Sequence, residues 1–229
     1  MIPLFVQLVQ HYSPTAAGVM MIPAGIAMVI GFPLAGRLTD RVDTRWLLAF
    51  GIIAFGTSAW LLSHVTLMTP YWVMVGWIVL SRIGISFCMP PANTTAVRAV
   101  PPPLLASATG GVSFLMQIGG AFGVNLLAIL LQRRLIFHGE HLASAVNESN
   151  PQLSYAHVQI AREMERNGLP QLPAFQSAFG ELGRQISVEA SVYAFRDCFF
   201  VISVWFAIVL CFLVFMPRPR LEASQAAKT

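Results

Sequence analysis

Charged positions are absent from long stretches of this chain. Residues 1–36, 46–81, 83–97, 99–132 and 198–217 carry no Lys, Arg, Asp or Glu, and most are dense in Leu, Ile, Val, Phe, Met, Ala and Gly. A hydrocarbon core about 30 Å thick takes ~20 mostly apolar residues to cross as a helix. Several of these runs are long enough. The pattern predicts an all-α membrane protein with five full spans and a partial one. The partial span, about 1–12, is too short to cross and reads as the end of a helix begun upstream. Ser13-Pro14-Thr15 breaks it, because Pro suits the first turn of the next helix. Full spans follow at about 15–36, 46–65, 71–95, 105–131 and 198–217, with Pro70, Pro101-Pro102-Pro103 and Pro217 punctuating their ends.

Composition sharpens this picture. Of 229 residues 56% are hydrophobic and only 10% charged, against roughly 25% charged in a soluble domain. The net charge of +4 is spread over loops, and forms no block that would hold nucleic acid. Cys88, Cys198 and Cys211 have neither disulfide nor metal-ligand spacing, so no metal site is expected. The start, Met1-Ile2-Pro3-Leu4-Phe5, lacks the basic region of a signal peptide.

Short-loop Lys and Arg stay on the cytoplasmic side of a membrane. Arg37, Arg41 and Arg45 follow the first full span, the turn at 63–70 has no such residue, Arg98 follows the third, and Arg218, Arg220 and Lys228 lie in the tail. The alternation predicts a multi-pass membrane protein with residues 218–229 as a cytoplasmic tail. Arg133 and Arg134 oppose the rule, but they open a long loop, and long loops translocate largely regardless of charge. That extracytoplasmic loop, 132–197, reads as a partly helical cap. Leu153, Val158, Ile160 and Met164 suggest a short amphipathic helix, and a second helical pattern from about 174 leads into the last span. Asn147-Glu148-Ser149 is a formal glycosylation sequon, without meaning in a bacterial protein.

Three groups of residues carry candidate chemistry. The segment Gly36 to Arg45 places Asp40 and Asp43 among Arg37, Arg41 and Arg45, where Arg and Asp can pair bidentately; a solvated loop and a conformational latch are both consistent with it. Arg82 is the one ionised residue well inside a span, about eleven residues into it. A charge there is expensive and faces a partner or a wet cavity. It either senses substrate or a coupled proton, or is a structural group satisfied by carbonyls. In the 105–131 span, Gly119 and Gly123 form a small-xxx-small pair for close helix packing, and with Gly120 they also allow a hinge. Gln117 and Asn125, eight residues apart, fall on one helix face, either lining a cavity or bonding between helices. No Asp or Glu lies inside any of these spans, and neither a phosphate-cradling loop nor a nucleophile–base constellation is present, so an enzyme is not expected.

Gly-x-Leu-x-Asp-Arg-x-x-x-Arg at 36–45 resembles the signature loop of the major facilitator superfamily. Pro3-Leu4-Phe5-x-Gln7, Tyr12-Ser13-Pro14-x-x-Ala17-Gly18 with Pro23, and Arg82-Ile83-Gly84 ahead of Pro90 resemble its fourteen-span drug/proton antiporter branch, EmrB/QacA-like. So do Gln117-x-Gly119-Gly120-Ala121-x-Gly123 and the run from Gln185 and Ala190 to Ala194-Phe195-x-Asp197-x-Phe199. Asp43 stands where the family more often has Gly, and Met116 where relatives often have Arg.

The resemblance implies the C-terminal half of a major facilitator helical bundle. Its matching loop residues Gly36, Asp40, Arg41 and Arg45 would lock the cytoplasmic side, and the halves would rock around a central site. It further implies proton-coupled export of drugs or amphipathic small molecules, with the coupling carboxylate in the N-terminal half. No cofactor is expected. The expected partners are the lipid bilayer, that N-terminal half, a small-molecule substrate, protons and a periplasmic adaptor. A second reading, a truncated non-transporting membrane protein acting as a partner or inert remnant, stays open at this point.

Overall fold

A computed structural model describes residues 2–10, 12–98, 100–145 and 171–215. The amphipathic segment around 153–164, the sequon at 147–149 and the tail 218–229 lie outside the described residues.

Helices form wherever the uncharged runs lie. α1 is Ile2–Leu8, α2 Pro14–Thr39, α3 Thr44–Leu62, α4 Tyr71–Arg98, α5 Leu105–Ala145 and α6 Gln171–Phe215. Five of them are long and apolar enough to cross a membrane. The start of α2 follows from Ser13-Pro14. The Ser13 hydroxyl accepts from the Ala16 amide at 3.2 Å, and Pro14 occupies a position whose N–H would have no helical partner. α3 ends where the Ser63 amide reaches the Ala59 carbonyl at 3.0 Å. Its hydroxyl donates to the Trp60 carbonyl at 2.7 Å.

Two helices run further than their apolar stretches require. α5 continues past residue 131 through Arg133 and Arg134 to Ala145, and α6 begins well ahead of residue 198. At 41 and 45 residues they are each about 60 Å or more in length, twice the thickness of a hydrocarbon core. α6 is unbroken through Asp197, and its candidate apolar stretch Gly183–Leu213, at 31 residues longer than a bilayer crossing needs, takes in both Glu189 and Asp197. The polar positions before 198 are interleaved with buried Ala190, Val192, Ala194 and Phe195, which pack inward and carry the helix through.

The core gathers at the end of the bundle that holds the α3–α4 turn. Phe5 and Val6 of α1, Met20 of α2, Leu62 of α3, Ile78 of α4 and Phe195 of α6 are buried together there. Phe5 meets Phe195 edge-to-face, with ring centroids 5.4 Å apart. Lower down, α4 packs on α3 and α2 through glycines. A Cβ on Gly51 would stand 2.6 Å from the Cys88 Sγ, one on Gly84 2.7 Å from the Phe55 amide nitrogen, and one on Gly31 2.7 Å from the Ser86 Cβ. Only a missing side chain lets these backbones meet. α5 packs chiefly on α6, and none of its apolar stretch is buried by the rest of the chain.

Candidate functional site

The predicted site residues occupy three separate places. At one end of the bundle, Gly36 lies in the last turn of α2, Asp40 and Arg41 in the turn that follows, and Arg45 in the first turn of α3. α2 closes with the Arg41 and Val42 amides both on the Leu38 carbonyl, at 3.0 and 2.8 Å, and Asp40 and Arg41 are exposed. Arg45 is half-buried, and its Nη2 donates to the Leu213 carbonyl at 3.3 Å. That carbonyl belongs to the last turn of α6, where acceptors lack intrahelical partners and the helix dipole favours a cation. The loop is thereby tied to the final helix.

Arg82 lies near the middle of α4. It lines a cavity of about 200 Å³ with Phe55, Ser58, Ser81, Phe199 and Ile202. Both serines already donate inside the helix bundle, Ser58 to the Trp77 carbonyl and Ser81 to the Ile78 carbonyl, each at 2.6 Å. No acid joins this lining, and the Arg82 guanidinium has no hydrogen-bond or ion-pair partner among the described residues. An unpaired cation over an apolar wall can take an anion or a strong acceptor and repels another cation.

Gln117, Gly119, Gly120, Gly123 and Asn125 sit on α5, apart from the Arg82 cavity. Gln117 and Asn125 are exposed, and the Asn125 Nδ2 donates within its own helix to the Ala121 carbonyl at 2.8 Å. Among the described residues no atom comes within 4 Å of a Cβ built on Gly119, Gly120 or Gly123. Among the described residues the tight glycine contacts are instead Gly31, Gly51 and Gly84.

A polar cluster that the sequence pattern did not single out joins α5 to α6. The His138 Nε2–H donates to the Asp197 Oδ2 at 2.9 Å, and Arg134 Nε stands 3.4 Å from the same oxygen. Arg196 donates through Nε to the Ser63 carbonyl at 2.8 Å and stacks over Tyr193 at 5.6 Å. The signal for it was the spacing: Arg134 and His138 are i and i+4, as are Tyr193 and Asp197.

A family sequence profile decides the fold's kinship. The profile of the Major Facilitator Superfamily matches residues 1–138. The chain belongs to the Major Facilitator Superfamily.

Similar members include an uncharacterized MFS-type transporter, YhcA, of Bacillus subtilis, 21% identical over all of this chain and 43% of its own length. The colistin resistance protein EmrB of Acinetobacter baumannii is 25% identical over 96% of this chain and 42% of its own. The multidrug export protein EmrB of Escherichia coli K12 is 25% identical over 98% and 42%. The chain therefore spans about two fifths of the length of the curated relatives it matches. Major facilitator proteins are transporters whose binding sites lie near the bilayer midplane. Among the candidates here, Arg82 lies near the middle of α4, and Gln117 to Asn125 lie in the apolar part of α5.

Proposed function

We propose that this chain is the C-terminal half of a major facilitator exporter that moves drugs or amphipathic small molecules out of a bacterial cell in exchange for protons. The observation carrying this reading is Arg82: an unpaired guanidinium in a largely apolar cavity, midway along a span of a five-span bundle. In the proposal the Arg82 wall contacts substrate or answers to the coupled proton. A cationic substrate would be held by acids of the N-terminal half, because this wall repels it. The exposed face of α5, with Gln117, Gly119, Gly120, Gly123 and Asn125, faces that half. The Gly36–Arg45 loop lies in the cytoplasm, where Gly36, Asp40, Arg41 and Arg45 latch the closed state, and the C-terminus lies on the same side of the inner membrane. A periplasmic adaptor docks on the ends of α5 and α6 that outreach the bilayer.

The test is efflux from everted vesicles holding this chain together with its N-terminal half. Export should be driven by an imposed proton gradient and stop when the gradient is collapsed. Arg82→Ala should abolish export while the protein still inserts in the membrane. Unchanged export by that variant, or gradient-driven export by this chain alone, would overturn the reading.

A further inference from the structure

A second cavity, about 250 Å³, opens on the outside of the bundle between α3 and α6. Ile52, Gly56 and Trp60 wall it on α3, and Ser203, Phe206 and Leu210 on α6. Gly56 keeps it open, since a Cβ there would meet Phe206 at 3.4 Å. In a spanning bundle this outer face meets hydrocarbon, and an elongated apolar groove suits an acyl chain.

What lies at the head of the groove says which lipid. Arg196 precedes Ser203 by seven residues, two turns up the same face of α6 and about 10 Å along its axis. Its Nε is fixed on the Ser63 carbonyl and its plane lies over Tyr193. The fork of terminal N–H donors is left without a partner among the described residues. Such a fork matches phosphate bidentately. Opposite it, half-exposed Trp60 stacks on His64 with centroids 4.7 Å apart, and an indole at this level marks the membrane–water boundary. Asp197, the nearest acid on α6, is taken by Arg134 and His138. Glu189 is two further turns away along the helix.

We propose that this groove binds one anionic phospholipid, its phosphate held by Arg196 beside Trp60 and one acyl chain lying between α3 and α6. The site faces the membrane surface opposite the Gly36–Arg45 loop. It rests on the chain spanning a membrane and not on what is transported.

The experiment is native mass spectrometry of the full chain, purified and then exchanged into mild detergent with equimolar phosphatidylglycerol and phosphatidylcholine. One phosphatidylglycerol should be retained about tenfold over phosphatidylcholine: both offer a phosphate, but the choline ammonium neutralises the second headgroup and repels the guanidinium at close range. Arg196→Gln should bring the two lipids to parity, with Arg196→Lys in between because a point charge replaces the fork. Ala207→Phe, which fills the groove from an exposed position, should release both lipids while helix content stays unchanged by circular dichroism. Equal retention of the two lipids by the wild type, a preference surviving in Arg196→Gln, or lipid still bound by Ala207→Phe would each overturn the proposal. If Arg196→Gln loses its fold, the wild-type ratio and Ala207→Phe decide alone.

Discussion

Gly84 shows how much a single missing methyl can determine in a bundle whose exterior is lipid. Its built Cβ would lie 2.7 Å from the Phe55 nitrogen and 2.8 Å from the Gly51 oxygen, both backbone atoms. Backbone cannot step aside as a flexible side chain can, so α3 and α4 would have to separate. Gly84→Ala is expected to destabilise the chain by about 1–3 kcal/mol, the usual cost of overpacking. Gly119→Ala, whose added Cβ meets no neighbouring element within 4 Å, should instead stabilise the chain by about 0.5–1 kcal/mol, the helix-propensity gain of Ala over Gly. Unfolding of both variants in detergent, side by side, checks the contrast; equal effects would contradict the packing described. In the sequence the two glycines look alike, each in an apolar run. The small-xxx-small spacing on α5 attracts notice, yet the tight contacts come from single glycines on different helices. Which face of a helix meets a neighbour depends on tertiary placement, and periodicity carries no trace of it when lipid and protein neighbours are equally apolar.

Helices as units were largely legible, because hydrocarbon demands both length and apolarity of anything that crosses it. The five long helices coincide with the uncharged runs, and Ser13-Pro14 marks the start of α2 as local chemistry requires. The extra length of α5 was less visible. Past residue 131 the charged and polar positions of α5 read as loop, whereas the helical pattern from about 174 already leads into α6. The consequence is that α5 hangs on the bundle chiefly through α6, with the Arg134–Asp197–His138 cluster clasping its far portion. Asp197 is about a third exposed on its side chain, so the clasp is worth a surface-type pair plus one charged hydrogen bond. Asp197→Ala should cost about 1 kcal/mol. Hydrogen exchange in detergent should show faster opening around 130–142 with α2, α3 and α4 unchanged. Uniform acceleration across all helices would mean that the clasp supports the whole fold instead of one element.

At the scale of the whole molecule, the distribution of charge and of burial argue the same arrangement in the membrane. The α2–α3 turn, with Arg37, Arg41 and Arg45, and the α3–α4 turn, with no Lys or Arg between 63 and 70, cap opposite ends of α3. α3 itself is 19 residues, close to the ~20 that cross a bilayer, so the two turns emerge on opposite sides. Three guanidiniums against none favours the cytoplasm for the first turn. The bundle's dense core lies towards the second turn, and the first is held by Arg45 on the end of α6, which brings the C-terminal end of that helix to the same side. The arrangement can be read directly after replacing Cys88, Cys198 and Cys211 by alanine. Asp43→Cys and Thr66→Cys both fall at exposed turn positions, where a new thiol disturbs no core contact. A membrane-impermeant maleimide should label Thr66→Cys in intact cells and reach Asp43→Cys only after lysis. The reverse pattern would invert the molecule, placing the Arg45-bound end of α6 outside and removing the cytoplasmic latch from the proposed mechanism. Labelling of both in intact cells would mean that α3 does not cross at all.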